Sequence, residues 1–598
     1  MRFRRVSGLA AIVFASLLWM SCGQVFRPVV IPISTTPPNT SNFHAVFAVS
    51  TNVGPNYGTT FQIDVAGDSN IGQANTGIIP THAGILPNNS RVFVASAGTL
   101  FPGQGDNVTA FFPANDSTVI SGLGTVTSFT LPYESAGQSA NITGISEAGS
   151  LVTVTLSAAL PNAKTNASIA ISGVGVTGYD GTFPINTVAG NVITYVNSTT
   201  GLGSSSGGVA NVPVICPYLP DYVTTSQNTA VYVASYGTEG TANCNLPNTD
   251  SVALLSPTTN AITNIAYLPP GAHPVAMVET PQALNLYVVN QGNNTVTDLS
   301  PIDLSTITPA INVGTTPVWV VSRVDGQRIY VLTQGSGTLV PIDTATDTVL
   351  TSQTNLSVGA GANYIYYDPI LSRLYVTNPT TGMVYVFSTT GGVDASGTPN
   401  DTPTLLATIS MTAGTNPPCP NGCAPMGVAA IPDGSRFYVA SYASFANCPD
   451  PNVGTASACI VPMMTVFDSA SFAVEQVSST LLAPSPSLSL LTYPQFAATQ
   501  YAVPVAAACV ATGSYVPGAT RFRMFTTASS DGSHVYASIC DAGTIADVVT
   551  VSTSVNSTGG NNTGDVLESD IAAPFSAAGV YSNGVPIPQS PIFLLTGQ

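Results

Sequence analysis

The scarcest groups able to do acid–base or metal chemistry in this chain are its four histidines, His44, His82, His273 and His534. An imidazole changes charge near neutral pH and is a common metal ligand, so each deserves a chemical test. His82 follows Pro80 by two residues and His273 immediately precedes Pro274, which places both near the start of a strand on two separate units. A shared metal is the chemistry that such a pair would serve. No carboxylate accompanies them at a fixed offset, so the reading is of ordinary loop or strand histidines, with no metal expected. His44 and His534 flank aromatic strands and read as structural. Arg521 and Arg523 stand out in a chain with only 12 lysines and arginines. They could line a central channel and hold an anionic ligand, or pair with carboxylates at strand edges, and the second reading is favoured.

Nucleophile chemistry is poorly supported. Gly203-Ser204-Ser205-Ser206-Gly207 matches a nucleophile elbow in form, but lies in a Gly/Ser run with neither the buried strand before it nor the helix after it that the elbow requires. Cys419 and Cys423 have the spacing of half a zinc site, without a second pair of Cys or His nearby. No phosphate-binding glycine loop or His-Glu-x-x-His helix occurs. No catalytic residue and no cofactor are expected.

The elements that would carry these groups are written in a repeat. An apolar residue, an aromatic, then Val or Ala and small residues recur eight times, the aromatic being Phe47, Phe93, Tyr232, Tyr287, Tyr330, Tyr375, Tyr438 and Tyr536. Tyr287, Tyr330 and Tyr375 are spaced by 43 and 45 residues, the length of a four-stranded propeller blade. Proline stands thirteen residues ahead of the aromatic in four copies, Pro80, Pro274, Pro317 and Pro425, where other copies have Leu219, Ala362 and Arg523. Asp325-Gly326, Asp433-Gly434 and Asp531-Gly532 separate the two strands that follow, a hairpin signal because Gly reaches positive φ at no steric cost. These aspartates are therefore turn residues.

Composition agrees with an all-β chain: Gly 54 and Pro 46 punctuate Val- and Thr-rich runs, with hydrophobic residues at 44% and charged ones at only 7%. The net charge of −17 repels phosphate backbones, and Lys164 is the single lysine, so nucleic acid is excluded as a partner.

Leu374-Tyr375-Val376-Thr377-Asn378 with Met383-Val384-Tyr385-Val386-Phe387, and Val313-Gly314-Thr315-Thr316-Pro317 ahead of Ile329-Tyr330-Val331, resemble YVTN repeats. The resemblance is strongest over residues 253–467 and looser over 43–135 and around Tyr536. It implies a β-propeller of an exported or surface protein, commonly seven-bladed. Eight motifs imply either eight blades or seven with two terminal half-motifs sharing one sheet, closed by a strand at Pro591 to Leu595.

The interval from Phe93 to Tyr232 exceeds a blade by about two blade lengths. Short strand runs separated by Gly and Asn turns fill residues 139–212 and read as a small independent β-barrel or sandwich, similar to a short module of phage and bacterial surface proteins. A second surplus, mainly residues 483–519, reads as an elaborated loop and the favoured seat of ligand specificity.

At the N-terminus Arg2, Arg4 and Arg5 precede an apolar run, Leu9 to Trp19, too short to span a bilayer, and then Met20, Ser21 and Cys22. Ser-Cys resembles a bacterial lipobox, with Leu18 displaced by one from its usual place. The expected organisation is a signal peptide at 1–21, lipidation at Cys22, a Pro/Thr-rich tether at 22–42, and propeller at 43–138 and 213–598 around the insert. The other eight cysteines suit an oxidising compartment, and sequence proximity pairs Cys216 with Cys244, Cys419 with Cys423, Cys448 with Cys459 and Cys509 with Cys540, with connectivity open.

The function expected from these readings is a non-catalytic binding or interaction scaffold of the cell envelope, not an enzyme. Its partner would be an envelope protein or glycan, and its only membrane contact the lipid anchor; simple secretion is the other localisation. The alternatives are a lactonase-like propeller hydrolase, in which a metal or a few polar residues act at the channel mouth, and a structural or adhesion protein.

Overall fold

The computed structural model describes residues 45–597 outside 53–55, 99–106, 114–123, 131–137, 213–217, 226–229, 238–247, 351–355, 391–401, 414–422 (except Pro418), 446–458, 478–486, 490–521 (except Cys509), 551–553, 556–560, 581–585 and single residues 66, 68, 260 and 564. Apart from one short 3-10 turn at Thr177–Tyr179, the regular elements of the described residues are strands.

Eight four-stranded antiparallel sheets make the blades of a β-propeller. Their innermost strands are, in order, Pro80–Ile85, Pro220–Thr225, Pro274–Glu279, Pro317–Ser322, Tyr364–Asp368, Cys423–Ala430, Met524–Ala528 and Ser590–Thr596. Each packs against the innermost strand of the next blade, and the eighth against the first, so the ring is closed. The eighth blade is composite: Ser590–Thr596 pairs with Ala45–Thr51, with Phe47 opposite Leu595. The C-terminal strand therefore closes the ring as its sequence suggests, and the eight motifs correspond to eight blades, one more than the usual seven of the resemblance.

All eight motif aromatics lie on the second strand of a blade and are fully buried. Strands such as Val231–Ser235 and Leu286–Asn290 are buried at every residue, because blade neighbours cover both faces of the sheet. At roughly 1.5–3 kcal/mol for burying one large apolar side chain, a blade left without neighbours would forfeit much of its stability, which is why the sheets close on one axis.

Tyrosine does more than fill space. The Tyr232 hydroxyl donates to the Pro301 carbonyl at 2.9 Å, that of Tyr287 to Asp347 Oδ1 at 2.7 Å, and that of Tyr438 approaches Asp565 at 3.4 Å. Each bond reaches the following blade. The ring serves the core of its own blade while the phenol fastens the neighbour, which a phenylalanine could not do.

Around Tyr287 two carboxyl groups meet, one fully buried and the other half-buried. Asp298, fully buried, accepts from the Asn285 amide at 2.7 Å, while Asp347 accepts from Thr308 Oγ1 at 2.6 Å as well as from Tyr287. Burial pushes the Asp298 carboxyl up, to about 7, with the Asn285 amide opposing and Asp347 adding to the rise. Between about pH 4 and 7 the folded chain thus keeps a proton that the unfolded chain has released, so stability falls as pH rises through that window and levels off above it. Asp298→Asn should raise the urea midpoint at about pH 8 and flatten its slope between pH 4 and 7 by one proton. Equal slopes in the two proteins would refute the assignment.

The hairpin aspartates behave as turn residues. Asp325, Asp433 and Asp531 each accept the backbone N–H two residues on, at 3.0, 2.7 and 2.9 Å, and the glycines that follow them have φ near +70°.

The insert is a closed six-stranded barrel, running from Gln138–Ala148 to Val209–Val212. Its core, with Val152, Ile169, Tyr179 and Tyr195, is continuous with Phe93 and Val108 of the first blade and Val231 and Tyr267 of the second. Lys164 donates to the Ile265 carbonyl at 2.8 Å and to Asn264 Oδ1. The module is therefore docked on the blades rather than independent. Ser205 forms a bridge to Ile145 inside it, which leaves no elbow geometry for a nucleophile.

Candidate functional site

Four innermost strands begin in the same way. Ile79, Leu219, His273 and Thr316 have φ of 52°, 53°, 49° and 52°, and each is followed by proline and a register shift. Their carbonyls accept from Ala97, Tyr236, Gln291 and Gln334 at 2.8–3.1 Å. In the second blade the proline is Pro220, one residue later than the thirteen-residue rule places it, and Leu219 takes the left-handed position. A left-handed β-branched residue is costly, so its recurrence at Ile79 and Thr316 belongs to the repeat rather than to one site. What the repeat supplies is a fixed position at the start of each innermost strand.

In the third blade that position is filled by His273. Its ring stacks on Tyr236, centroids 4.5 Å apart and planes at 8°, and Nδ1 lies 2.8 Å from the Tyr236 carbonyl. A carbonyl only accepts, so Nδ1 carries the proton and Nε2 the lone pair of the neutral ring. Asp250 Oδ1 stands 3.3 Å from the same Nδ1, with the Asp250 side chain fully buried and that of His273 30% exposed. The carboxylate also accepts from the backbone N–H of Ala272 at 2.9 Å and of His273 at 3.3 Å. Those bonds hold the buried charge in place. Asp250, Tyr236 and His273 together make a clamped imidazole with a carboxylate behind it.

His82 has different surroundings. It is 6% exposed, donates from Nδ1 to the Val223 carbonyl at 3.0 Å, and stacks on Tyr222 at 3.9 Å between centroids. Phe593 lies 4.3 Å away and Trp319 6.0 Å. Trp319 also meets Tyr364 and Phe522 at 5.3 Å, and Phe525 meets Phe593 at 4.4 Å. These rings come from six blades and meet across the axis, so they plug it. The sixth blade has Gly427 at the corresponding register, where a Cβ would come within 3.0 Å of Thr526 Oγ1 on the next innermost strand. His82 belongs to this plug and His273 to the carboxylate clamp, and among the described residues no three metal-ligating side chains come together.

Arg523 holds in the seventh blade the position of His273 in the third, since its carbonyl accepts from Cys540 N at 3.1 Å as that of His273 accepts from Gln291. The two blades are four apart in a ring of eight, hence on opposite sides of the axis. Arg523 Nε donates to Asp541 Oδ2 at 2.6 Å and Nη2 to Oδ1 at 3.2 Å, while the Tyr442 hydroxyl donates to Asp541 at 2.8 Å. The pairing with a carboxylate is the favoured reading of the sequence. Arg521, His44, Cys22, Cys216, Cys244, Cys419 and Cys448 lie outside the described residues, as does most of the 483–519 loop; of Cys459 only the backbone is described.

Cys509 and Cys540 form a disulfide, as their proximity suggests, with Cα atoms 5.8 Å apart and a sequence separation of 31. Cys423 is disulfide-bonded too. Cys540 is the neighbour of Asp541, so the bond holds Cys509 beside the Arg523–Asp541 pair. By chain entropy it is worth on the order of 3 kcal/mol. The double variant Cys509→Ser, Cys540→Ser should lose about that much in urea unfolding, and a loss below about 1 kcal/mol would show that the bond does little to stabilise the fold.

The Asp250–His273 pair was not legible beforehand. Each residue follows an unremarkable loop sequence, and a histidine 23 residues after an aspartate carries no local signature. The useful signal was the register position before Pro274.

No family model matches the chain, and no curated protein matches it. Solved structures similar to it include the periplasmic gluconolactonase of Pseudomonas aeruginosa, at 14% identity over 72% of this chain and 93% of that one, TM-score 0.39. Dihydro-heme d1 dehydrogenase NirN is similar at 9% identity over 94% and 78%, TM-score 0.41, and hydrazine synthase of Kuenenia stuttgartiensis at 15% over 55% and 76%, TM-score 0.35. Such distant likeness assigns no activity to this chain. The expectation of a non-catalytic scaffold that is not an enzyme is corrected to this extent: the solved structures similar to this chain include a gluconolactonase and a dehydrogenase. The physical reason is that a propeller can assemble a site from loops of different blades, far apart in sequence, so a missing local motif says nothing about catalysis.

Proposed function

We propose that this chain is a lactonase-like propeller hydrolase that opens a cyclic ester at the face where the innermost strands begin, with His273 as general base. The observation that carries this reading is the clamp on His273: Nδ1–H is held by the Tyr236 carbonyl 2.8 Å away and backed by buried Asp250, which leaves Nε2 as the basic nitrogen. In the step that follows, Nε2 takes a proton from water as the water oxygen bonds to the lactone carbonyl carbon. The imidazolium, stabilised by Asp250, returns that proton to the ring oxygen as the carbon–oxygen bond breaks, giving the hydroxy acid. No nucleophilic side chain is needed, in keeping with the absence of an elbow at Ser205. The axial plug restricts chemistry to one face at a time.

Within the same proposal the repeats are of the YVTN type, supported by the Tyr330 and Tyr375 segments, and the protein is exported and anchored through Cys22, supported by the charged leader, the short apolar run and Ser21-Cys22. The test is release of acid from a panel of aldonolactones and acyl-homoserine lactones by the purified chain, followed by pH-stat. Hydrolysis should rise with pH as the base loses its proton. No turnover of any lactone would overturn the reading.

A further inference from the structure

The inserted barrel reaches the candidate base through one side chain, Asn248. From the barrel, Ser168 Oγ donates to the Asn248 carbonyl at 3.1 Å, and Asn248 Nδ2 donates to the Asn166 carbonyl at 2.8 Å. Asn248 Nδ2 also donates to Leu268 O at 2.6 Å, and its Oδ1 accepts the backbone N–H of Asp250 at 3.0 Å. The Asp250 carbonyl in turn accepts from Leu268 N at 2.9 Å. Every polar atom of the Asn248 side chain is thus engaged, and Asn248 is only 1% exposed. Asp250 then grips Ala272 and His273, so barrel, Asn248, Asp250 and imidazole form one continuous hydrogen-bonded path.

A fixed barrel is a firmer support than a loop. Asn248 lies outside any strand, just ahead of Ser251–Ser256, and a residue so placed gains a defined position only from what it bonds to. The barrel edge supplies those bonds from two successive backbone levels, Asn166 and Ser168. Asn166 Nδ2 donates to the Tyr267 carbonyl at 3.2 Å as well, locking the same edge to the fourth strand of the second blade.

We infer that the inserted barrel is a positioning element for the reaction face: through Asn248 it sets the place of Asp250 and thereby the tautomer and orientation of His273. This rests on the reading of His273 as general base, but it makes a claim about the imidazole that can be read without turnover.

Excising the barrel outright would expose the core it shares with the first two blades, so the decisive variants are Asn248→Ala and Ser168→Ala. With only four histidines in the chain, His273 can be assigned in nitrogen-15 spectra by its loss in His273→Gln. In the parent protein the Nδ1–H form should dominate. In Asn248→Ala a population of the Nε2–H form should appear, kcat should fall by about tenfold to a hundredfold with KM little changed, and the acid limb of the pH profile should move. Ser168→Ala should change the same quantities in the same direction by less. Unchanged His273 nitrogen shifts and an unchanged pH profile in Asn248→Ala would overturn the inference. Absence of hydrolysis by the parent would instead overturn the hydrolase reading, and the nitrogen spectra would still decide whether the barrel positions the ring.

Discussion

His273→Ala should lower lactone hydrolysis by about 10²- to 10⁴-fold while leaving the fold intact, the range that a positioned general base contributes. The effect should fall on kcat and kcat/KM together, because the imidazole acts on the attacking water in the transition state rather than on the bound ester. Its side chain is 30% exposed at the face, so the truncation leaves no large cavity and the melting temperature should change little. Asp250→Asn is the companion variant. It keeps the size of the side chain but removes the charge that stabilises the imidazolium, and should cost a substantial part of the same rate. Steady-state rates within threefold of the parent in His273→Ala would dismiss His273 from the chemistry.

The largest effect on stability should come from Asp565→Ala. Arg436 donates from Nη1 to both oxygens of Asp565, at 2.9 and 2.8 Å, and joins the sixth blade to the segment ahead of the fourth strand of the seventh. The Asp565 side chain is fully buried and that of Arg436 is 10% exposed. Tyr438, the motif tyrosine of that blade, approaches the same carboxylate at 3.4 Å, and burial pushes its phenol up, so it stays a neutral donor. Removing the carboxylate strands a guanidinium in a buried interface, at a cost of about 3–5 kcal/mol. Replacing both partners, Arg436→Met with Asp565→Leu, should recover most of that loss, since the desolvation of two charges disappears with them. Guanidinium chloride unfolding followed by tyrosine fluorescence measures both. A single variant within about 1 kcal/mol of the parent would mean that water reaches the pair.

The blade that contains Arg436 and Tyr438 is legible from its sequence, because strand alternation, the Asp433-Gly434 turn and the buried tyrosine are all decided by residues within one blade. The partner Asp565 is not, as it lies 129 residues away and next to a strand of another sheet. The same division runs through the surroundings of His273. That His273 begins a strand follows from Pro274, whereas its carboxylate comes from the preceding blade and its support from the barrel. Spacing along the chain carries no trace of such a pair, because it is made by ring closure.

What the sequence determined by itself was the repeat unit: eight aromatic strands, hairpins with Asp-Gly turns and an inserted β module, with the blade number, the closing strand and the cysteine connectivity left open. Each depends on backbone preferences and periodicity within some fifty residues, and each would hold in any arrangement of the units. Only the tertiary structure decided that His82 would be walled into an aromatic plug while His273 met Asp250, that Arg523 would pair with Asp541, and that Asn248 would connect the barrel to Asp250. These pairings arise when sheets that cannot bury both faces alone are forced around one axis, which brings residues from different blades to the same few ångströms irrespective of their distance along the chain.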